Sequence, residues 1–475
     1  MATNASFAGP LAGSILTPSA SKMTTLGSYL DIQNDGWAKQ YLPELYESEV
    51  QRYGNRTISG FLSQISAEMP MSSDQVIWSE QGRLHLSYNG EINPVTGAID
   101  AITGIDSGAS ETHAIRKGAT LVCEVNSIVF KAFVKVGVEI ANNALTIKPY
   151  GSANVDDLAG IAVDDNQAIK FFVYGSEFKK ADTGMNEAVK PSFQSYTNNP
   201  IILKDKYEIS GSDASQIGWV EVTGEAGQSG YLWYIKAEGD TRKRFEDYLE
   251  MAMIESEKNV NTNLADIAGT EGLFAAVKDR GHIHEDGIDG SSASDDLADF
   301  DNMLKKLDKQ GAIEENVLFL NRDLSLNIDD MLAAQNSYGS GGTSWGLFNN
   351  SEDMAINLGF SGFRRGSYDF YKTDWKYLND ASTRGEIASD VTGILVPAGT
   401  SSVYDQILGK NIKRPFLHVR YRASQSDDRK LKSWITGSVG GASTSDLDAM
   451  EVHYLSERCL VVQAANNFVL FGNFA

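Results

Sequence analysis

The period of the hydrophobic pattern changes near residue 240, and this change constrains the fold more than any other feature. The segment SGYLWYIKAEG, residues 229–239, has the composition of a strand. The next segment, DTRKRFEDYLEMAMIESEK, has apolar residues at the spacing of one helix face: Phe245, Tyr248, Leu249, Ala252 and Met253. Because both periods occur in one chain, we expect an α+β protein with a long helix over residues 240–258, capped by Asp240 or Thr241.

A second helix, a strand and a third helix follow in close succession. The segment SDDLADFDNMLKKLDKQG has Ser294 as an expected N-cap, acidic residues in its first turn and Gly311 as its stop. The apolar run NVLFL (316–320) predicts a central strand, and DLSLNIDDMLAAQ predicts another helix. Further strands are expected at residues 393–398, 416–423, 451–463 and 467–472.

Residues 117–155, KGATLVCEVNSIVFKAFVKVGVEIANNALTIKPYGSANV, alternate short β-branched runs with Asn, Gly and Ser turns. This pattern indicates a small β module, which we place at residues 116–168. Membership of a larger sheet remains an open alternative.

Charge and composition exclude several classes of protein. The net charge of −22 disfavours wholesale binding to nucleic acid or to an anionic membrane. Local basic clusters remain that could meet a phosphate or an acidic neighbouring subunit: Arg242, Lys243 and Arg244; Arg364 and Arg365; Arg429, Lys430 and Lys432. No run approaches the roughly 18 apolar residues that span a bilayer. The cysteines, Cys123 and Cys459, lie within apolar runs and are expected to be buried thiols.

The sequence contains no strong catalytic motif. His282 and His284 in HIHEDGIDG stand beside carboxylates and could bind a divalent ion, but the glycine-rich context favours an exposed loop. Neither a G-x-S-x-G elbow nor a Walker A loop occurs. We therefore predict no enzyme activity, no cofactor and no metal site, with a metal-dependent enzyme using these two histidines as the weaker alternative.

Two strands around a Gly/Ser turn are predicted in residues 192–222, SFQSYTNNPIILKDKYEISGSDASQIGWVEV. An isolated two-stranded ribbon is marginal in water, and this one is rich in apolar side chains. If no part of its own chain covers it, a neighbouring copy must. We therefore predict inter-subunit contacts along the ribbon and at its root: Tyr196, Asn198, Asn199, Pro200, Ile202 and Trp219, with Phe178, Lys179 and Lys180 at the root.

The order of these elements resembles the major capsid proteins of tailed bacteriophages, which have the HK97-type fold. Two segments are similar in sequence to parts of that fold. The family's extended loop is similar to VYGSEFKKADTGMNEAVKPSFQSYTNNPIILKDKYEISGSDASQIGWVEV, and its spine helix is similar to AEGDTRKRFEDYLEMAMIESEK. The amino-acid sequence of these segments is most like that of marine and crAss-like phage capsid proteins. The resemblance implies this division: N-terminal arm 1–70, peripheral strand and loop 71–115, inserted β module 116–168, extended loop 169–222, peripheral domain 223–293 with spine helix 240–258, axial domain 294–445, and returning C-terminal strands 446–475.

The same resemblance implies a structural role. Copies would assemble as hexamers and pentamers into an icosahedral shell around double-stranded DNA, with non-specific DNA contacts and no membrane. Expected partners are other copies, a portal, and head-decoration or auxiliary capsid proteins. The expected localisation is the virion, after assembly in the host bacterial cytoplasm. A β-rich virion adhesion or head-decoration protein is the leading alternative.

Overall fold

The structure of the 475-residue chain is a computed structural model. The structure describes residues 58, 60–85, 87–104, 113–137, 145–161, 163, 167–181, 193–216, 222–223, 229–230, 233–261, 263, 267–285, 288–311, 313–336, 362–385, 387, 390–405, 410–441 and 443–472.

The helices in the described residues are α1 (Phe61–Ile65), α2 (Gly211–Ala214), α3 (Trp233–Glu255), α4 (Leu273–Arg280), α5 (Ala293–Lys309), α6 (Arg322–Asn336) and α7 (Lys376–Asn379). The strands are β1 (Ala67–Met71), β2 (Val76–Gln81), β3 (Ser87–Asn93), β4 (Ala98–Gly104), β5 (Ala119–Val125), β6 (Ile128–Val136), β7 (Leu145–Pro149), β8 (Gln167–Ser176), β9 (Phe193–Asn198), β10 (Ile201–Ser210), β11 (Val222–Thr223), β12 (Ser229–Gly230), β13 (His282–His284), β14 (Glu315–Leu320), β15 (Gly362–Arg365), β16 (Tyr368–Asp374), β17 (Gly393–Pro397), β18 (Thr400–Asp405), β19 (Lys410–Pro415), β20 (Leu417–Arg422), β21 (Lys432–Gly437), β22 (Ala449–Val462) and β23 (Val469–Phe471). The protein is thus mixed α+β with many strands and few helices.

The chain divides into two compact units. The first comprises Met1–Val76 and Thr197–Ala475, and the second comprises Ile77–Tyr196. The second unit contains a closed antiparallel barrel with the strand order β3-β4-β7-β6-β5-β8. Its strands alternate between the interior and the exterior, and the interior is filled by apolar side chains that include Leu121, Cys123, Val125, Ile147 and Ile169.

The predicted β module of residues 116–168 is therefore too short. Strands β3 and β4, expected in a peripheral domain, and β8, expected in the extended loop, all belong to the barrel. Short-range patterns reveal strands but not which strands close a sheet on itself. Closure depends on a tight turn at Gly97, whose φ is 75° and whose carbonyl accepts the Ile147 N–H at 2.8 Å. A side chain at Gly97 would clash with the Ile147 carbonyl.

The first unit contains two larger sheets. One has the order β1-β20-β22-β10, with β21 also paired to β22. Helix α3 packs on its β10 and β22 strands through an apolar cluster of Phe245, Leu249, Met450, Val452 and Tyr454. The second sheet has the order β13-β23-β17-β14-β16-β15 and carries α5 and α6 over its core.

The long helix is longer than predicted. It begins at Trp233 rather than near residue 240, so Asp240 and Thr241 lie inside it and do not cap it. Segment 229–239, expected as a strand, contributes only Ser229–Gly230 to a strand before the helix begins. Phe245, Leu249 and Met253 are buried as the helical spacing predicts, but Tyr248 is 46% exposed. The helical prediction is therefore right in type and wrong at its start.

The following elements confirm their predictions. Helix α5, strand β14 and helix α6 occur where the pattern placed them, as do β17, β20, β22 and β23. Gly311 ends α5 with φ at 70°, whereas the N-cap is Ser292 instead of Ser294. These elements combine strong local periodicity with clear end signals, so local sequence alone defines them.

A buried carboxylate fixes the start of the described chain to the long helix. Glu250 of α3 accepts backbone N–H bonds from Gly60 at 2.7 Å, Phe61 at 2.8 Å and Leu62 at 3.3 Å. These donors form the first turn of α1, which has no side-chain cap of its own. Burial raises the pKa of Glu250, while the three N–H groups oppose that shift. Glu250 thus acts as a cap supplied from a distant part of the sequence.

Both cysteines are buried free thiols, as predicted, and burial raises the pKa of each to about 12. Since the thiolate is the reactive form, we expect no labelling of the folded protein by a thiol reagent at pH 8, and labelling of both thiols in urea. Released chromophore measures the reaction, and Ala159→Cys, at an exposed loop position, provides a reactive control. Rapid labelling of native Cys123 or Cys459 would contradict this expectation.

Candidate assembly surface

Within the described residues, the predicted two-stranded ribbon of residues 192–222 is not paired as a hairpin. Strand β9 pairs with β2, whereas β10 pairs along its whole length with β22 of the same chain. Leu203, Tyr207 and Ile209 on β10 pack into the cluster beneath α3. The prediction that only neighbouring copies shelter this segment is therefore wrong for its first strand, which is β10. The predicted second strand, after the Gly/Ser turn, lies mostly outside the described residues. The alternating pattern identified a half-buried strand but not its partner, since Lys206 and Glu451 lie 245 positions apart.

Asn198 is an internal anchor. Its side chain is fully buried, and its amide nitrogen donates to the carbonyls of Leu460 at 2.6 Å and Glu271 at 3.0 Å. Its amide oxygen accepts from the Glu271 N–H at 2.8 Å, the Asn199 N–H at 2.9 Å and the Thr270 hydroxyl at 3.1 Å. Every polar atom of the side chain is used within its own chain, so the predicted inter-subunit contact at Asn198 is wrong.

The other predicted contact residues lie in different places. Phe178, Lys179 and Lys180 are exposed just after the last barrel strand. Tyr196, Asn199 and Pro200 are half-buried, and Ile202 is 53% exposed on β10. Trp219 lies outside the described residues. Except for Asn198, the described members of this set keep some surface that another copy could contact.

Strand β10 has one free edge. It ends the strand order of its sheet, and no strand in the described part of the chain pairs with its outer side. In β22, the Glu457 N–H donates to the Arg429 carbonyl, which lies on the side away from β10. The Leu460 carbonyl accepts from the Asn198 side chain, which lies on the β10 side. In an antiparallel strand, the backbone N–H and C=O groups of successive residues point alternately to either side. The odd-numbered residues of β10 therefore bond to β22. The outward groups belong to Ile202, Lys204, Lys206, Glu208 and Ser210.

Side chains on both faces of this edge strand form hydrogen bonds and ion pairs. On the α3 side, Asp205 accepts from Arg244 at 3.1 Å and also from the outward N–H of Lys206 at 2.9 Å. On the other face, Lys206 pairs with Glu208 at 3.0 Å and with Glu451 at 3.2 Å. A ten-residue strand held on both faces presents an ordered row of backbone donors and acceptors.

A second exposed region is the ribbon of β2 and β9, which form a two-stranded sheet of their own. Ile77 on β2 and Phe193 on β9 are each 63% exposed. Trp78 and Tyr196 meet with ring centroids 6.1 Å apart and provide the apolar contact between the strands. A ribbon this thin has little core, so covering its exposed apolar side chains would stabilise it.

The candidate metal ligands do not converge. His282 and His284 lie on strand β13, not in an exposed loop, and their ring centroids are 6.4 Å apart. His284 is buried against Phe471, and burial lowers the pKa of His282 to about 4, aided by Lys306. Within the described residues, no group of three or more His, Cys, Asp or Glu side chains is placed to hold a metal ion.

The basic clusters face acids of their own chain. The ion pairs are Arg242–Glu246 at 3.3 Å, Arg244–Asp205 at 3.1 Å, Arg364–Asp369 at 3.5 Å, Arg365–Asp301 at 2.7 Å, Arg429–Glu457 at 3.1 Å, Lys432–Asp427 at 2.8 Å and Lys430–Glu68. Apart from Lys243, which has no ion pair with a described carboxylate, the charges of these clusters are compensated locally. In the part of the chain that the structure describes, no helix is long and apolar enough to cross a membrane.

Comparison with known proteins gives only distant similarities. No protein-family model and no curated protein match the sequence. Similar solved structures include a chain from Gordonia phage Cozz, with 10% identity, 96% of this chain and 98% of that chain covered, and a TM-score of 0.41. A chain from Microbacterium phage Oxtober96 has 10% identity, coverages of 92% and 98%, and a TM-score of 0.40. The capsid of a native GTA particle has 9% identity, coverages of 92% and 97%, and a TM-score of 0.38. Similarities at this level establish neither fold nor function.

Proposed function

We propose that this chain is a structural protein whose copies assemble into the capsid shell of a tailed bacteriophage. The free edge of β10 carries the proposal. An ordered row of backbone N–H and C=O groups is a template on which another chain can add a strand. Its apolar inner face is already covered by α3, so the edge offers hydrogen bonds without exposing the core.

The edge and the β2–β9 ribbon offer two separate contact regions. A closed shell requires each copy to contact several others, and stable shells depend on large obligate interfaces. The exposed Ile77 and Phe193 side chains would be covered in such an assembly. The net charge of −22 is consistent with a shell that encloses DNA but does not bind it tightly.

The finer features of the proposal rest on the sequence resemblance described above. They are the HK97-type arrangement, hexamers and pentamers in an icosahedral lattice, a double-stranded DNA content, and portal and decoration partners. The similarity to crAss-like phages and assembly in the host cytoplasm belong to the same proposal. The division into peripheral and axial domains also remains a proposal.

Electron microscopy of the purified full-length protein tests this function. We expect closed shells or tubes, with lattice spacings that repeat in two-dimensional averages. Discrete monomers or trimers under all assembly conditions would contradict a shell protein. They would instead favour a head-decoration or adhesion protein, an alternative that the separate core of the barrel supports.

A further inference from the structure

One side of the barrel is unusually apolar for a surface that meets water. The barrel interior is already filled, so its outward side chains are free to be polar. Yet Phe172 and Tyr174 on β8 are 46% and 49% exposed. Val122 and Phe133 lie beside them, half-buried, on β5 and β6. Lys131 and Lys135 alternate with Phe133 along β6. We call these six residues the apolar–lysine face.

Lys131 occupies the centre of this face. Its ammonium lies 5.9 Å from the centre of the Tyr174 ring, and it is directly opposite Val122 on the neighbouring strand. It forms no ion pair with a described carboxylate. A lysine among apolar side chains loses water when a partner covers it, so the partner must supply an acid.

A complementary acidic surface occurs on the same barrel. Glu91 on β3 and Asp100 on β4 are directly opposite each other in the strand register, and both are exposed. Neither forms an ion pair with a described basic residue. Like charges at directly opposed positions destabilise a sheet, so a cation placed between them would relieve the repulsion. We call this pair the acidic face.

The two faces occupy different strands of the barrel. In the closed order β3-β4-β7-β6-β5-β8, the apolar–lysine face spans β6, β5 and β8, whereas the acidic face lies on β3 and β4. The two faces adjoin where β8 pairs with β3. A contact between unlike faces of two identical molecules is heterologous, and such contacts repeat from copy to copy until a ring closes or a row forms.

We propose that the apolar–lysine face of one copy docks against the acidic face of the barrel of a second copy. Charge complementarity selects this occupant. A single-stranded nucleic acid would also match rings flanked by lysines, but it would leave the repulsion between Glu91 and Asp100 unexplained. Docking of a second barrel covers the apolar side chains of one face and places its lysines beside the carboxylates of the other face in a single contact. This inference concerns the barrel alone and does not depend on the shell.

Disulfide trapping in the full-length protein tests the contact. We mix the Lys131→Cys variant with the Asp100→Cys variant, and we expect a disulfide-linked dimer in mild oxidant. The matched control replaces the second variant by Ala159→Cys, which lies in an exposed loop outside both faces. We expect at least about ten-fold less dimer in the control. Native Cys123 and Cys459 are buried and do not compete.

Charge exchange gives an independent measurement. In sedimentation velocity, Lys131→Glu should weaken self-association, and adding Asp100→Lys to the same chain should restore it. Equal cross-linking with the control, or no rescue by the exchange, overturns the proposal. Binding of a single-stranded oligonucleotide that is lost in Lys131→Glu, without cross-linking, would replace it with a nucleic-acid site. Shells without cross-links refute only this contact, whereas cross-links without shells refute only the shell.

Discussion

We expect proline in place of Lys206 to suppress the proposed assembly while the subunit stays folded. The Lys206 N–H points away from β22 and bonds only to the Asp205 carboxylate, so proline removes no ladder bond within the subunit. A strand added along the free edge would lose that donor and would meet the proline ring. The lost hydrogen bond costs about 0.5–1.5 kcal/mol for each interface, and the clash of the proline ring with the added strand raises that cost. We expect shells or tubes in electron micrographs to fall by at least ten-fold, with an unchanged circular dichroism spectrum.

Two further substitutions make this result specific to the edge. Lys206→Ala keeps the N–H and should assemble, although it loses the ion pairs to Glu208 and Glu451. Tyr207→Pro removes a bond to β22 and disturbs the cluster beneath α3, so it should unfold the subunit. Normal shells from Lys206→Pro would show that the free edge has no part in assembly.

Replacing Asn198 by alanine should cause the largest loss of stability among single polar substitutions. The change leaves buried groups of Thr270, Glu271 and Leu460 without the partner that they have in the native protein. Each such group costs about 1–3 kcal/mol. Some of them can recruit water, so we expect the free energy of unfolding to fall by about 3–5 kcal/mol. Urea denaturation followed by tryptophan fluorescence measures this change.

The neighbouring residue provides the matched control. Asn199 is half-buried, and only its backbone N–H bonds to Asn198, so Asn199→Ala keeps that bond. We expect a change below about 1 kcal/mol for this variant. If the two alanine variants unfold at the same urea concentration, the hydrogen bonds of Asn198 do not hold the end of β9 in place.

The elements whose determinants are local were predicted correctly. Helix α5 has an apolar stripe, acids in its first turn and a glycine stop, and its bounds are within two residues of the prediction. Strand β14 is a short apolar run between two helices, a pattern that leaves few other structures open. The start of α3 was missed because Trp233 to Gly239 have strand-like composition and are helical only in the context of the sheet beneath them.

Pairing between distant strands could not be predicted. Strand β10 shows perfect alternation, which fixes its two faces but leaves its partner undetermined. Asn198 was predicted to contact another subunit, because nothing in the local sequence reveals the buried carbonyls of Glu271 and Leu460 that accept from it. The free edge, the central feature of the candidate surface, therefore required the topology of the sheet.

The late position of β22 in the chain has a consequence for biosynthesis. This 14-residue strand pairs with β10, β20 and β21, so none of these three can complete its ladder before residues 449–462 emerge from the ribosome. Contacts of such long sequence separation form slowly. A nascent chain therefore lacks the finished edge, and in the proposed assembly copies on one messenger RNA could not associate prematurely through it. Translation itself would delay the proposed association until residues 449–462 have been made.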